Sequence, residues 1–545
     1  MCRAIGSDFA KEIQHTPFLH QAAQAKTART MKLTKGLLLI LPLAFTTSCM
    51  VGPNYRTPDA KVEQQWTYGP NASAKQTNHN DASWWKTFKD PVLNNLIEVA
   101  YRNNLTQQIA GVRILQARAQ LNATIGNLFP QQQNLSGALN YTKVSTPDRL
   151  ASFTGTTNDL AIDQVLFSSS WEIDFWGKFR RNIQSEGATY LSTVASYDDA
   201  LVTLIADVAS SYVNIRTAEE RIRVAQENAE SQQESHRVAV VQFTSGETSQ
   251  LDEQQAATLL AQTQAQVPRL QNTLNQAKTG LAVLLGETPD KVDRYLAGSS
   301  RIPVASTGVA AGIPRDLLRR RPDVREAGLN AASQSALIGV SRANMLPALS
   351  LSGTFGFSSN NERKNSLGDI FMWQSSVAQG GASLLWPVFN YGRLINQVRV
   401  QDAAFQQAVL NYQNMVLNAQ QDVENGLSSF YTEKNALANL TTAANTARRA
   451  SQLSLIQYKA GETDYTTVLS SEQAQLSAED SLASSQGNVA LGLISIYRAL
   501  GGGWEIRNGG DVISDDVKAQ MRQRTNWGQM LKPEQHLPKV SPVEP

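Results

Sequence analysis

Residues 457–469 read QYKAGETDYTTVL, and residues 242–252 read QFTSGETSQLD. An aromatic residue, a glycine and the string GET hold the same places in both. Gly246 and Gly461 lie 215 residues apart, and the same offset separates Gly177 from Gly392 (in WGK and YGR) and Leu285 from Leu500 (in LLG and ALG). Convergent composition in two Ala/Gln-rich helices does not keep glycines in register. The chain is therefore an internal duplication, with a unit far longer than the roughly 20–50 residues of solenoid repeats.

Each copy carries a long helical stretch. No proline occurs from Lys178 to Val267, nor from Val388 to Lys532. In the first copy Val194, Leu201, Val208, Ile215 and Ile222 recur at steps of seven, and the second answers with Val409, Val416, Val423, Phe430 and Leu437. The stripe extends to Phe243 and Tyr458, with Ile205 and Tyr212 on the neighbouring seam. A sustained seven-residue stripe predicts coiled-coil packing. After turns at 244–250 and 459–466 the chain returns through 251–285 and 465–500, so each copy is an extended antiparallel helical pair. Small Ala and Ser residues off the stripe let a helix pack on neighbours at both sides, which suits a closed ring of helices.

Another helix and two strands precede each long helix. Residues 92–129 end in NLFP and 322–346 end in NMLP, each proline closing a helix and opening an extended run. LSLSGTFGFS (349–358) puts Leu349, Leu351, Phe355 and Phe357 on one face and Ser350, Ser352, Thr354 and Ser358 on the other. LSGALNYT (135–142) alternates more weakly, and returning strands are expected near 160–175 and 376–389, with Trp171, Ile173 and Phe175 on one face. Polar loops, 143–158 and 359–373, lie between the strands. Such alternation marks a membrane barrel strand, and equally a soluble sheet with one wet face. The strand count weighs more. Four strands cannot close a barrel, which takes about eight, and open edges are not tolerated in hydrocarbon. Several chains must share their strands; three would supply twelve.

Lys+Arg total 49 against 47 Asp+Glu, so no nucleic acid or other polyanion is implied as partner. Residues 31–49, MKLTKGLLLILPLAFTTSC, have a basic head and a short apolar core, a secretory signal pattern with Met31 as the expected start. Thr47 and Ser48 before Cys49 resemble a bacterial lipoprotein signal, although Thr46 stands where such signals usually carry Leu. Lipid attachment at Cys49, palmitate included, is the expectation, with ordinary cleavage nearby as the alternative. No run of 18 apolar residues follows Cys49, which excludes transmembrane helices but not a barrel.

CMVGPNYRTP (49–58), WWKTFKDPVLNNLI (84–97), SSWEIDFWGKFRRN (169–182) and RRRPDVREA (319–327) resemble the TolC-like outer-membrane factor family, in particular its NodT-type lipoproteins of resistance–nodulation–division efflux systems. The resemblance spans 49 to about 505, and the order and spacing of the motifs are specific. It implies a mainly α fold with β: a homotrimer whose twelve-stranded outer-membrane β-barrel, four strands per chain, continues as a long α-helical periplasmic tunnel. It also implies docking on a periplasmic adaptor protein and an inner-membrane pump, and passive conduction of drugs or other small solutes. An outer-membrane duct for type I protein secretion is the alternative, which lipidation and the GPNY start disfavour. A purely structural coiled-coil lipoprotein is a third reading.

The resemblance also gives the opening stretch a role. The two turns become the tunnel's far tips, where a tyrosine and an aspartate hold the entrance shut in TolC-like channels. Here those positions are Tyr458 and Asp252, and Gly246, Glu247, Gly461 and Glu462 form the turns and the adaptor-docking surface. The alternative is that Tyr458 and Asp252 only cap exposed turns. Thr463 stands where the family often has arginine, and Ser470 where it often has an aspartate of a cation-collecting ring. Asp464 and Glu472 are the candidates to replace that ring, with an ordinary solvated helix-end charge as the alternative for both and the favoured reading for Glu472; Asp464 is counted with the gate.

The expected division is 1–48 extension and signal, 49–91 lipidated segment, 92–285 first repeat, 286–321 equatorial linker, 322–500 second repeat, and 501–545 C-terminal segment with a disordered tail from 533. Arg319, Arg320, Arg321 and Asp323 read as a structural link before a helix with Pro322 in its first turn. Trp84 and Trp85 read as packing anchors. His79, His236 and His536 are scattered, and neither a G-x-S-x-G, a P-loop nor a cysteine nucleophile is present, so neither enzyme activity, a metal nor a cofactor is expected beyond the lipid.

Overall fold

The computed structural model describes residues 50–62, 66–68, 81–143, 159–299, 301–304, 320–360, 369–507 and 510–533. The signal segment, Cys49, the loops at 144–158 and 361–368, the linker 305–319 and the tail from 534 lie outside the described residues. The elements are α1 (Pro91–Asn103), α2 (Leu105–Gly126), β1 (Gln132–Lys143), β2 (Asp159–Glu172), α3 (Lys178–Thr244) and α4 (Gln250–Leu285). Then follow α5 (Val292–Leu296), α6 (Pro322–Ala343), β3 (Ala348–Asn360), β4 (Ser376–Leu385), α7 (Arg393–Lys459), α8 (Tyr465–Ala499) and α9 (Asp515–Arg524).

The duplication is exact in the long hairpins. Both α3 and α7 have 67 residues and start and stop 215 residues apart. At about 1.5 Å per residue each runs roughly 100 Å. Gly177 and Gly392, which open them, share a left-handed conformation with φ of 77° and 78°.

Their surroundings differ. α3 packs extensively on α1, α2, α4, α6 and α8, whereas α7 packs extensively on α6 and α8 and meets α3 and α4 only near its tip. Accordingly α3 buries 31 residues and α7 only 11. Val194, Leu201, Val208, Ile215 and Ile222 are all buried, as are Val416, Val423 and Phe430, whereas Val409 and Leu437 are half-buried. Ile395, Val400, Leu410, Leu417, Leu453 and Ile456 of α7 face outward.

The stripe does not reach Phe243, which is 37% exposed, nor His236, which is half-buried. Past Ile222 the buried register of α3 moves one residue back, to Asn228, Ser235 and Gln242. A helix of 3.6 residues per turn drifts about 20° per heptad against a strict seven-residue repeat.

The four strands form an antiparallel meander in the order β1-β2-β3-β4, so β1 and β4 are its edges. Register puts Leu135, Phe167, Phe355 and Ala378 side by side on one face, and next to them Tyr141, Val165, Phe357, Leu351 and Leu384. Asn134, Ser168, Thr354 and Gln379 run across the other. The apolar face is open to its surroundings: Leu135, Leu139 and Tyr141 are all strongly exposed. β2 stops at Glu172 and β4 at Leu385, so Ile173, Phe175 and residues 386–389 belong to the junctions with the long helices rather than to strands.

The single helix expected over 92–129 is two. Asn104 leaves the helical region, accepts from the Gln107 backbone at 2.9 Å as the cap of α2, and gives its amide to Leu284 O at 2.9 Å. α9 follows a C-terminal segment that had no helical signal strong enough to read.

Candidate functional site

Both hairpin tips are built the same way. After α3, Glu247 N bonds Gln242 O at 2.9 Å and Gly246 N bonds Phe243 O at 3.0 Å; after α7, Glu462 N bonds Gln457 O at 2.9 Å and Gly461 N bonds Tyr458 O at 3.0 Å. This closure needs a left-handed residue, supplied by Gly246 (φ 82°) and Gly461 (φ 74°). Gly246, Glu247, Gly461 and Glu462 are exposed. Asp464 caps α8, accepting from Thr467 N at 3.1 Å and Thr467 Oγ1 at 3.0 Å. Asp252 sits in the first turn of α4, its backbone N on Ser249 O at 3.2 Å.

The interiors of the tips differ. Tyr458 is buried and joins Val238, Ala239, Ala256, Tyr465 and Val468 in one apolar cluster. Its ring meets Tyr465 edge-on, with centroids 5.3 Å apart. Gln242 reaches across from α3 to donate to Tyr458 O at 3.1 Å. The Tyr458 hydroxyl is buried without a hydrogen-bond partner, and so is the Thr248 hydroxyl near it. Burial is the largest cause and raises the phenol's pKa; the Thr248 hydroxyl, close by but out of hydrogen-bonding geometry, opposes this, and the Asp252 carboxylate adds to it. Tyr458 and Asp252 are thus near each other, but inside one chain they do not share a hydrogen bond.

Sequence reasoning missed two features of this site. Tyr465 and Glu472 are both buried, and Glu472 is not the solvated charge expected of it. The signal was present: Tyr465, Glu472, Glu479 and Leu493 lie on one seven-residue stripe. The second is Lys459, which bridges to Glu234 at 3.0 Å and ties the end of α7 to α3. Arg237 and Lys459 together hold the Glu234 carboxyl down to about 2. Ser470, where an acidic ring was in question, is exposed and bonded to its own helix.

At the other end, Met50 and Val51 dock where β2 meets α3. Val51 N bonds Trp176 O at 3.1 Å, and Arg181 holds Val51 O, Gly52 O and Asn54 Oδ1 at 3.0–3.2 Å. Gly52 has φ 100° and lies so close to the Gly339 backbone that a side chain there has no space. The N-terminal segment then runs along α7, where Gln413, Gln420 and Glu424 bond its backbone. Exposed Phe129, Phe175, Trp386, Phe389 and Tyr391 gather at this junction, and exposed Phe371 and Trp373 at the opposite end of β4. Ten residues of β4 separate the two groups, about 33 Å along the strand and about 25 Å if tilted at 40°, the height of a barrel's apolar band.

Between these ends lies an equatorial core. Trp84 and Trp85 are buried, Trp84 stacking on Tyr497 at 5.1 Å. Arg321 donates to Asp323, Asp422 and Ala499 O and so ties the start of α6 to α7 and to the end of α8. Among the described residues no group of acidic, His or Cys side chains is arranged to hold a metal, and no helix is long and apolar enough to cross a membrane.

The profile of the family described as "Outer membrane efflux protein" matches residues 96–287 and 313–502. The chain belongs to that family. It is 30% identical over 466 residues to Nodulation protein T of Rhizobium leguminosarum bv. viciae, covering 85% of this chain and 92% of the relative. It is 26% identical to the "Probable outer membrane lipoprotein SilC" of Salmonella typhimurium, covering 86% and 98%. The outer-membrane channel OprN has the same fold, with a TM-score of 0.77 at 31% identity over 84% of this chain and all of that one.

As a family member the chain is an efflux channel of the outer membrane that extends into the periplasm and works as a homotrimer with a periplasmic adaptor and an inner-membrane pump. Three four-stranded sheets make the twelve-stranded barrel, continued by the helical tunnel. Cyclic symmetry pairs the β1 edge of one chain with the β4 edge of the next, which removes both free edges at once.

Proposed function

We propose that this channel is a passive, lipid-anchored duct for small solutes, closed at its periplasmic end by the hairpin tips. The observation that carries the reading is a four-stranded sheet with an outward apolar face and two open edges, mounted on hairpins about 100 Å long. The chain hydrolyses nothing; the pump supplies the energy. Cys49 carries the lipid, and the docking of Met50 and Val51 beside the junction aromatics supports an anchor at that level.

In the gate, Tyr458 is the packing element, Asp252 and Asp464 order the first turns of the returning helices, and Gly246, Glu247, Gly461 and Glu462 present the turns to the adaptor. A planar-bilayer recording of the purified trimer tests the duct, with the expected result a low-conductance pore that opens when Tyr458 and Asp252 are both replaced. A particle that never conducts would overturn the reading. Incorporation of a palmitate analogue, lost in Cys49→Ala, tests the anchor.

A further inference from the structure

Toward the tip, antiparallel α3 and α8 meet in layers one heptad apart: Asn228 bonds Glu479, and Ser235 bonds Glu472. Both glutamates are buried, but they are not equivalent. Glu479 has a counter-charge, Arg448 Nε at 2.7 Å, and accepts from Asn228 at 2.7 Å and Gln475 at 3.2 Å. Glu472 has none. Its Oε1 bonds the Ser235 hydroxyl, and its Oε2 is buried without a partner.

The elements packed around Glu472 hold several charged or titratable groups. On α3 these are Glu234, His236 and Arg237; on α4, Asp252; on α7, Arg448, Tyr458 and Lys459; on α8 itself, Tyr465 and Glu479. Arg237 and Lys459 are engaged by Glu234, and Arg448 by Glu479. His236 is half-buried and makes no ion pair with Glu472. Gln232, one turn before Ser235, is buried with both amide atoms unpartnered.

Counting protons favours a neutral carboxyl here. Ser235 Oγ lies 3.3 Å from Ser231 O as well as against Glu472. A hydroxyl has one proton. If it goes to Ser231 O, only lone pairs face Glu472, and an anion there is repelled. If it goes to Glu472, the second oxygen of the anion stays bare, which burial makes costly. A neutral acid keeps both contacts, its O–H donating to Ser235 Oγ and Ser235 donating to Ser231 O, and leaves Oε2 bare only as an uncharged carbonyl, which costs less than a bare charge.

We propose that Glu472 is a proton site built into the second hairpin, neutral while α8 is packed on α3, and that its ionisation loosens that packing. The inference does not depend on the tip being the gate, because what titrates is the contact between two helices. Burial, the dominant cause, raises the Glu472 pKa, and the Ser235 bond only partly opposes it. The packed form therefore holds its proton more tightly than the loosened form. Packing is strongest below the ordinary carboxylate range, weakens as pH rises through that range, and is weakest above the raised value.

Hydrogen exchange of the full-length trimer in detergent tests this, with rates corrected for intrinsic base catalysis. In the native sequence, protection of peptides spanning 231–242 and 465–475 is expected to fall about tenfold or more between about pH 5 and pH 8. Glu472→Gln, neutral and of the same shape, should hold the acid-side protection throughout. Infrared difference spectra at neutral pH should show the carbonyl stretch of a neutral carboxylic acid that Glu472→Gln removes. Protection that is flat with pH, or that falls equally in Glu472→Gln, overturns the proposal. If the variant fails to assemble, infrared titration of the native protein decides: carboxyl bands that all titrate in the ordinary range overturn it.

Discussion

Replacing Tyr458 in two ways separates the forces that hold the second tip shut. Tyr458→Phe removes a hydroxyl without a hydrogen-bond partner and leaves the ring against Tyr465, Val238, Ala256 and Val468. Loss of an unmade bond carries little penalty, so the change should stay within about 1 kcal/mol. Tyr458→Ala removes the ring, its edge-on contact with Tyr465 and the filling between three helices. Comparable aromatic truncations cost about 3–5 kcal/mol. A hairpin end can partly collapse, so the lower figure applies, roughly a hundredfold shift per chain toward the loosened tip at about 1.4 kcal/mol per decade. Single-channel recording should therefore find Tyr458→Phe as closed as the native trimer and Tyr458→Ala open for much of the record. Equal opening by both variants would refute the packing argument and assign closure to the hydroxyl and Asp252. A closed Tyr458→Ala channel would remove Tyr458 from the gate.

Three further outcomes follow from the geometry. Asp198 is fully buried between Arg507 at 2.6 Å and Arg325 at 3.3 Å, so Asp198→Ala should lose about 3–5 kcal/mol, seen as a lowered unfolding midpoint; a shift near zero would contradict it. Asp199 is pushed up to about 6, first by burial and then by Asp323. Its native state holds the proton more tightly, so stability is full below the ordinary aspartate range and falls by about 2–3 kcal/mol as pH rises through 6; denaturation across pH should show this and Asp199→Asn should flatten it. Gly461→Val places a β-branched residue at φ 74° and should cost about 1–2 kcal/mol, with Gly461→Asn milder, measured by exchange at the tip.

Much of the architecture was legible because it rests on local periodicity. The 215-residue offset and the two hairpins follow from repeated sequence, and the four strands from alternation next to proline. The ends of β2 and β4 were less so, because Ile173 still bonds Leu349 O at 2.9 Å and the alternation runs on to Phe175 beyond the last strand residue, Glu172. The break at Asn104 was hidden, since its reason is a bond to Leu284 from a distant helix. At the tip, the turn glycines were local and readable, whereas the cap at Asp464 was not, that residue having been assigned to the gate. Glu472 was not, because a carboxylate reads as solvated until its stripe is followed to Tyr465 and Leu493.

The sequence by itself determined that two like halves exist, each a strand pair on a long helical hairpin, because backbone conformation answers to residue spacing and to glycine and proline. Tertiary structure alone decided that the halves are not equivalent. Along their lengths α3 packs on five helices and α7 mainly on two, yet at the tip Tyr458 of α7 turns inward onto α3, α4 and α8 while its counterpart Phe243 of α3 is exposed. Burial depends on what stands beside a helix, and a duplicated sequence holds no record of which copy will have neighbours on both sides.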